Sequence, residues 1–236
     1  MIICPVCTKE NHHLAVTCTA CGSFLQQRIE NLDLFATIGH LAESPGKTFH
    51  TIAVARHKNF AYILATAFGW PVVFTFFWYI HAGELTRSLL TFLTAGILLG
   101  PAVGLIGFHY GSFLLWVGAR AFRSTISFRN AFATTVYSAV PFLIPLLVLL
   151  PMAVLTYGLF FFTKNPSPYE LKPLSFILIA ALAGLSYFWS ALLYLIGIRR
   201  VTGIRWFPAV VLWIVMLALA GLTAGALLYS LSGWSS

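Results

Sequence analysis

Four cysteines near the start of the chain are the residues whose type and spacing indicate chemistry most clearly. They form two Cys-x2-Cys pairs separated by ten residues, and they are Cys4, Cys7, Cys18 and Cys21. Each pair can present two thiolates from one tight turn, and four thiolates complete a tetrahedral shell around Zn²⁺. Because four protein ligands leave no coordination position for water, residues 1–25 are predicted to form a zinc ribbon with a structural metal.

Other interpretations of the cysteines remain open at this point. Two disulfides, or four free thiols, would fit the same count, but disulfides need an oxidising compartment and no signal peptide precedes Cys4. His12 and His13 lie between the pairs, and one of them could replace a thiolate. The only lysine or arginine in residues 1–25 is Lys9, beside Glu10, so we do not expect this segment to bind nucleic acid.

The rest of the composition indicates a membrane protein. Of 236 residues, 59% are hydrophobic and 8% are charged, whereas a soluble domain carries about 25% charged residues. So few charges cannot cover a soluble domain of this size, which argues against a soluble enzyme and against a disordered chain. The net charge of +8 is then expected to reflect membrane orientation and contact with anionic lipid headgroups.

Five apolar stretches are long enough to cross a bilayer, which needs about 20 residues in a helix. The second and third exceed one crossing, and their prolines predict kinks at Pro101, Pro141, Pro145 and Pro151. The sequence therefore predicts an all-α membrane protein with five spans in residues 60–236. The predicted spans are Phe60–Ile80, Leu89–Val117, Ala131–Phe162, Leu174–Ile198 and Phe207–Leu231.

The distribution of lysine and arginine predicts the orientation of these spans. With the N-terminus in the cytoplasm, the inner segments hold 11 of the 14 lysines and arginines and the outer segments hold 3. This asymmetry is the one that the positive-inside rule requires. We therefore expect a cytoplasmic ribbon, a C-terminus outside and a multi-pass protein of a prokaryotic cytoplasmic membrane.

Residues 26–59 connect the ribbon to the first span. Apolar residues recur at three- and four-residue steps from Leu25 to Leu41, which predicts an amphipathic helix. A second helix is expected to begin at Ser44-Pro45. Such basic, half-apolar helices can lie in the headgroup layer or pack on the membrane helices. The residues predicted to contact headgroups, here and after the second span, are Lys47, Arg56, Lys58, Arg120 and Arg123.

The predicted spans carry little chemistry of their own. No span has Asp, Glu, Lys or Arg in its interior, and the sequence lacks the paired groups that an intramembrane enzyme needs. His109 is the one ionisable side chain well inside a span. It is either a neutral histidine hydrogen-bonded between helices or a functional polar site.

Small residues follow a close-packing spacing along the second span. In lipid, such residues let two helix backbones approach each other. They are expected either to pack within this bundle or to mediate self-association or pairing with a related subunit. The glycines concerned are Gly96, Gly100, Gly104, Gly107 and Gly111.

From about Ser44 to Tyr229 the chain resembles the Yip family, the Ypt/Rab-interacting membrane proteins. Three elements carry the resemblance: Pro45-Gly46-Lys47-Thr48-Phe49 before the first span, the segment from Gly118 to Pro141 around the third, and the segment from Phe188 to Ala209 at the junction of spans 4 and 5. The resemblance implies five spans with the N-terminus in the cytoplasm. Eukaryotic members act in membrane traffic, bind prenylated Rab GTPases and form complexes with relatives, whereas a ribbon fused ahead of the domain is typical of prokaryotic members.

These observations together predict a non-enzymatic membrane organiser or adaptor. The cytoplasmic ribbon would recruit a protein partner, and the helical domain would contact lipids, associate with other membrane proteins or with copies of itself, or shape the bilayer. The alternative is a small transporter, channel or lipid-moving protein that uses the kinked spans 2 and 3.

Overall fold

A computed structural model describes residues 1–26, 29–86 and 88–232. Of residue 224 and residues 227–232 it describes the backbone alone. Arg28 and Arg87, which entered the charge count above, lie outside the described residues. In chain order the α-helices are α1 (Leu34–Glu43), α2 (Pro45–Val54), α3 (Ala61–Tyr79), α4 (Leu89–Ala121), α5 (Phe128–Ser138), α6 (Leu150–Tyr157), α7 (Pro168–Leu171), α8 (Pro173–Thr202) and α9 (Trp206–Ser232).

Two small hairpins precede the helices. Strand β1 (Ile2–Ile3) pairs with β2 (Glu10–Asn11) in antiparallel register, with Ile2 opposite Asn11. The second hairpin closes with a single antiparallel bridge between Thr17 and Phe24. Each hairpin therefore holds one of the two cysteine pairs at its turn.

Five membrane-length apolar segments occur among the described residues, as the sequence predicts. Hydrocarbon satisfies no backbone hydrogen bond, so a crossing segment must satisfy its own, and helices of this length do so. Their agreement with the predicted spans confirms the fold class. The segments are Ala61–Tyr79, Leu89–Ala121, Val140–Phe162, Pro173–Thr202 and Trp206–Thr223.

The third segment differs from its predicted form. The sequence predicts one span from Ala131, but α5 ends at Ser138 and a 3₁₀ turn, Val140–Phe142, follows. Pro141 lies in this turn, where its missing N–H and its ring prevent the helix from continuing. The crossing segment is thus Val140–Phe162, and it contains a π-helical turn at Pro145–Leu149 and a 3₁₀ turn at Gly158–Phe162.

The predicted helix from Leu25 to Leu41 is also shorter than expected. It begins only at Leu34, because the carboxylate of Asp33 accepts the N–H of Ala36 (2.7 Å) and caps the first turn. Before α1, the carbonyl of Ile29 accepts a hydrogen bond from the N–H of Arg56 (2.8 Å). This stretch therefore bonds to a segment after α2 instead of forming a helix. The predicted restart at Ser44-Pro45 is confirmed by α2, which has proline in its first turn.

The chain divides into two compact units. The first comprises residues 1–59, 110–135 and 194–236, and the second comprises residues 60–109 and 136–193. Helices α4 and α8 each contribute a part to both units.

The side chain of Phe49, on α2, is fully buried in the first unit. A Cβ at Gly197 would lie 3.0 Å from the Phe49 ring and 2.7 Å from Thr134, so a larger residue there would have to displace a neighbouring side chain. The hydroxyl of Thr48 donates to the carbonyl of His40 (2.9 Å) near the end of α1. Thr48 and Phe49 thus join α1, α2 and α8.

The second unit contains a close crossing of α3 and α4. A Cβ at Gly104 would lie 2.2 Å from the carbonyl oxygen of Ala65, and one at Gly69 would lie 1.9 Å from that of Gly100. Both contacts are with backbone, which cannot rotate away. Gly96 faces the ring of Phe74 on the same helix pair, at 2.4 Å from its Cβ position.

A tryptophan satisfies the carbonyl that a proline leaves without its helical donor. Pro101 has no N–H, so the carbonyl of Ile97, four residues earlier, loses its partner within α4. The indole Nε1 of Trp70, on α3, donates to that oxygen at 2.9 Å. The hydrogen bond therefore lets α4 continue through Pro101 in a medium without water.

We predict that Trp70 and Pro101 are energetically coupled. Trp70→Phe should lower the free energy of unfolding by about 1–3 kcal/mol, because it leaves a carbonyl unsatisfied. In a Pro101→Ala background the new N–H at 101 can bond to Ile97, so the same substitution should cost clearly less. Unfolding in mixed detergent micelles measures all four proteins of this cycle; an equal cost of Trp70→Phe in both backgrounds would contradict the assignment.

Candidate metal centre

The four cysteines meet in one cluster. Their sulfur atoms all lie within 4.8 Å of one another, with Cys4 and Cys21 3.7 Å apart and Cys7 and Cys18 3.5 Å apart. Zinc–sulfur bonds of about 2.3 Å in a tetrahedron separate the sulfurs by roughly 3.8 Å. The cluster therefore has the size that a tetrahedral metal ion needs, and each close pair takes one cysteine from each hairpin.

The two hairpin turns have the same backbone structure. In the first, the N–H of Thr8 bonds to the carbonyl of Cys4 (2.9 Å); in the second, the N–H of Gly22 bonds to that of Cys18 (3.0 Å). Thr8 and Gly22 both adopt a left-handed conformation, with φ of 58° and 70°. Glycine adopts this conformation at no steric cost, whereas threonine does so with strain.

Hydrogen bonds to sulfur favour thiolates in the cluster. Backbone N–H groups of Cys21 and Ala20, with the Asn11 amide, lower the pKa of Cys18 to about 6. The hydroxyl of Ser23 lies 3.0 Å from the Cys4 sulfur and lowers its pKa. For Cys7, the Lys9 backbone N–H favours the thiolate, but the neighbouring Cys21 and Cys18 thiols and burial together raise the pKa. A cation is what allows four thiolates to coexist at this distance.

The cluster can hold a metal ion with all four cysteines as ligands. Soft sulfur donors in a tetrahedron suit Zn²⁺ or iron, and a closed shell leaves no place for a reacting water. Neither histidine belongs to the group. His12 accepts the N–H of Leu14 through Nδ1 (3.2 Å), and His13 lies elsewhere, against Gly203.

His13 connects the ribbon to the turn between α8 and α9. A Cβ at Gly203 would lie 2.8 Å from the His13 ring, and Gly203 has φ of 71°. Burial lowers the pKa of His13, so the ring is neutral at pH 7 as it packs there. The Gln26 amide donates to the carbonyl of Ala15 (3.0 Å) in the same loop. Sequence spacing alone could not reveal this contact, because its partners are about 190 residues apart.

The predicted headgroup residues lie in different environments. Lys47 and Arg123 are exposed, and Arg56 forms an ion pair with Glu30 at 3.4 Å. Lys58 instead donates to the carbonyls of Ile52, Ala53 (2.8 Å) and Ala55 (2.7 Å) at the end of α2. Burial, followed by the charge of Arg129, lowers the pKa of Lys58 to about 8, so its ammonium remains charged at pH 7.

Two arginines lie over tryptophans at the ends of membrane helices. The guanidinium of Arg120 lies 3.5 Å from the centre of a Trp116 ring, and that of Arg199 lies 4.1 Å from a Trp206 ring. Only Arg120 was among the residues predicted from the sequence. The spacing of four residues on one helix could have indicated the first pair, whereas the second joins α8 to α9 across a turn.

The remaining predicted residues lie along α4. Gly96, Gly100 and Gly104 face α3, while a Cβ at Gly107 would meet nothing within 4 Å and one at Gly111 would make an ordinary contact with Thr135. His109 is partly buried. Its Nδ1 lies 2.8 Å from the carbonyl of Leu105 in its own helix, and its ring lies beside that of Tyr62 on α3, with centroids 5.8 Å apart.

Comparison with known proteins adds the family. The Yip1 domain pattern matches residues 40–228, about four fifths of the chain, and includes the three elements described above. No curated protein and no solved structure matches the chain. With five membrane-length apolar segments and a match over most of its length, the chain belongs to the Yip1 domain family and is a multi-pass membrane protein.

Proposed function

We propose that this protein is a non-enzymatic membrane organiser or adaptor. Its ribbon lies in the cytoplasm, holds one structural zinc ion and recruits a protein partner. Its helical domain, in a prokaryotic cytoplasmic membrane, associates with other membrane proteins or shapes the bilayer. A closed four-thiolate site has no catalytic position, which is consistent with this role.

The apolar surface of the ribbon is the observation that carries the proposal. Ile3, Val6 and Phe24 are 65%, 69% and 77% exposed, although they lie outside the membrane segments. A module of some 25 residues has few large apolar side chains from which to build a core. Leaving three of them exposed to solvent therefore indicates a surface for contact with a partner. Packing of His13 on Gly203 supports a ribbon held against the membrane domain while these side chains remain accessible.

The charged groups support contact with lipid headgroups. Arg120 and Arg199 pair with tryptophans at helix ends, and Lys47 and Arg123 are exposed. Tryptophans favour the bilayer interface, and cations there are attracted to anionic lipids. Lys58 is omitted from this surface because three backbone carbonyls already accept its ammonium hydrogens.

We expect partner recruitment to depend on the ribbon surface and on its metal. Cross-linking in native membranes, followed by mass spectrometry, compares the wild type with Val6→Ser/Phe24→Ser, which alters the surface, and Cys4→Ser/Cys7→Ser, which removes ligands. Both variants should lose at least one partner that wild type retains. Glu10→Gln, an exposed polar change on the same ribbon, serves as the control. Identical partner sets for all four proteins would refute recruitment by the ribbon.

The left-handed turn residues provide a test of the metal site. Gly22→Ala should weaken zinc binding about fivefold, and Thr8→Gly should strengthen it by a similar factor, because each left-handed non-glycine residue costs about 1 kcal/mol. Competition with a chromophoric chelator measures this on the detergent-solubilised full chain. Gly39→Ala, at a position with no neighbouring atom within 4 Å and no positive φ, controls for the loss of a glycine. Reduced protein that purifies without zinc, or a change of zinc affinity in the same direction for both turn variants, would contradict the assignment.

A further inference from the structure

A cavity of about 320 Å³ lies within the second unit, between α3, the third membrane segment and α8. It is partly open at the protein surface. At one end it is lined by Trp78, near the end of α3, and Phe176, near the start of α8. At the other end it reaches Pro71 and Tyr187, in the middle of their helices. The cavity thus extends from one end of the span towards its middle.

The walls of the cavity are apolar. Apart from the indole of Trp78, its polar side chains are Thr75 and Tyr187, whose hydroxyls lie 2.5 Å apart and hydrogen-bond to each other. No charged side chain lines it. A site of this kind offers water too few partners to hold it, and apolar cavities remain dry. The lining therefore selects for hydrocarbon over a polar ligand.

The dimensions of the cavity fit one extended hydrocarbon chain. Phe176 and Tyr187 are eleven residues apart on α8, which corresponds to about 16 Å along the helix axis. The cavity is therefore elongated along the helices, a shape that suits an extended hydrocarbon chain better than a compact ligand. Small residues create the space along its walls: Ala153, Ala180, Ala183 and Gly184.

We propose that this cavity binds one acyl chain of a bilayer phospholipid. The occupant follows from the surroundings, because all three walls belong to apolar segments of membrane-crossing length, for which hydrocarbon is the surrounding medium. The chain enters beside Trp78, an aromatic side chain of the type that lies at headgroup level, and its methyl end reaches the Thr75–Tyr187 pair. The pair is already hydrogen-bonded, so it requires no hydroxyl or headgroup from the ligand.

Retention of a phospholipid tests the proposal. The full chain is reconstituted into phosphatidylcholine vesicles, extracted into detergent and analysed by native mass spectrometry. Wild type should retain one phospholipid per chain. Ala183→Leu and Ala153→Leu, which fill the cavity, should reduce the retained fraction at least threefold. Ala181→Leu, an exposed change on the same helix away from the cavity, should leave it unchanged.

Fluorescence provides a measurement that does not depend on the filling variants. Wild type and Trp78→Phe are reconstituted into phosphatidylcholine with brominated acyl chains and into the same lipid without bromine. Bromine on a chain in the cavity should quench the emission that Trp78 contributes, so wild type should lose a larger fraction of its fluorescence than Trp78→Phe. Equal fractional quenching of the two proteins, or equal lipid retention by wild type and both filling variants, would overturn the proposal.

Discussion

Backbone carbonyls inside hydrocarbon have no water to accept hydrogen bonds from, and this constraint explains several hydrogen bonds between the membrane helices. Where Pro101 deprives Ile97 of its helical donor, the Trp70 indole supplies a hydrogen. After α5 the chain forms a 3₁₀ turn, in which the N–H of Phe142 donates to the carbonyl of Ala139. The Ser190 hydroxyl, from α8, donates to the carbonyl of Ser138 (2.8 Å). Irregular helices are therefore tolerated here because neighbouring helices provide specific donors.

The surrounding hydrocarbon also determines what holds the helices together. Lipid chains are as apolar as leucine, so hydrophobicity alone does not drive helices together. Gly69 and Gly104 instead allow α3 and α4 to meet backbone to backbone. This contact brings Trp70 close enough to α4 to donate its hydrogen bond to Ile97. The close approach at the glycines therefore makes Pro101 tolerable in α4. Farther along the bilayer, small residues on the third segment and α8 leave space that a lipid chain can fill.

A different interaction stabilises the ribbon, which is too small to have a core of its own. Its two hairpins meet at the four cysteines, which can bind one metal ion, and His13 packs against the turn at Gly203. The packing of Phe49 against Gly197 places α2 beside α8, the helix that ends just before Gly203. The segment that precedes the first span is therefore part of a folded unit, rather than a tether between the ribbon and the bilayer.

Much of this could be predicted from the sequence because the relevant signals are local. Membrane-length hydropathy predicts the five spans, and two short cysteine spacings predict the metal cluster. The break after Ser138, the late start of α1 at Leu34 and the capping role of Lys58 have causes nearby in sequence, in Pro141, in Asp33 and in the carbonyls at the end of α2, but the spacing of apolar residues does not reveal them. The Arg199–Trp206 pair and the cavity beside Tyr187, by contrast, exist only after the helices have packed.

The most direct test of the account is a measurement of which loops face each side of the membrane. Thr125→Cys lies in the loop after α4 and Lys164→Cys lies in the loop before α7, and both native side chains are exposed. A membrane-impermeant maleimide should label Lys164→Cys on intact cells and label Thr125→Cys only after lysis, with wild type as the background from the native cysteines. Labelling of both variants on intact cells, or of Thr125→Cys alone, would contradict a five-span protein with a cytoplasmic ribbon.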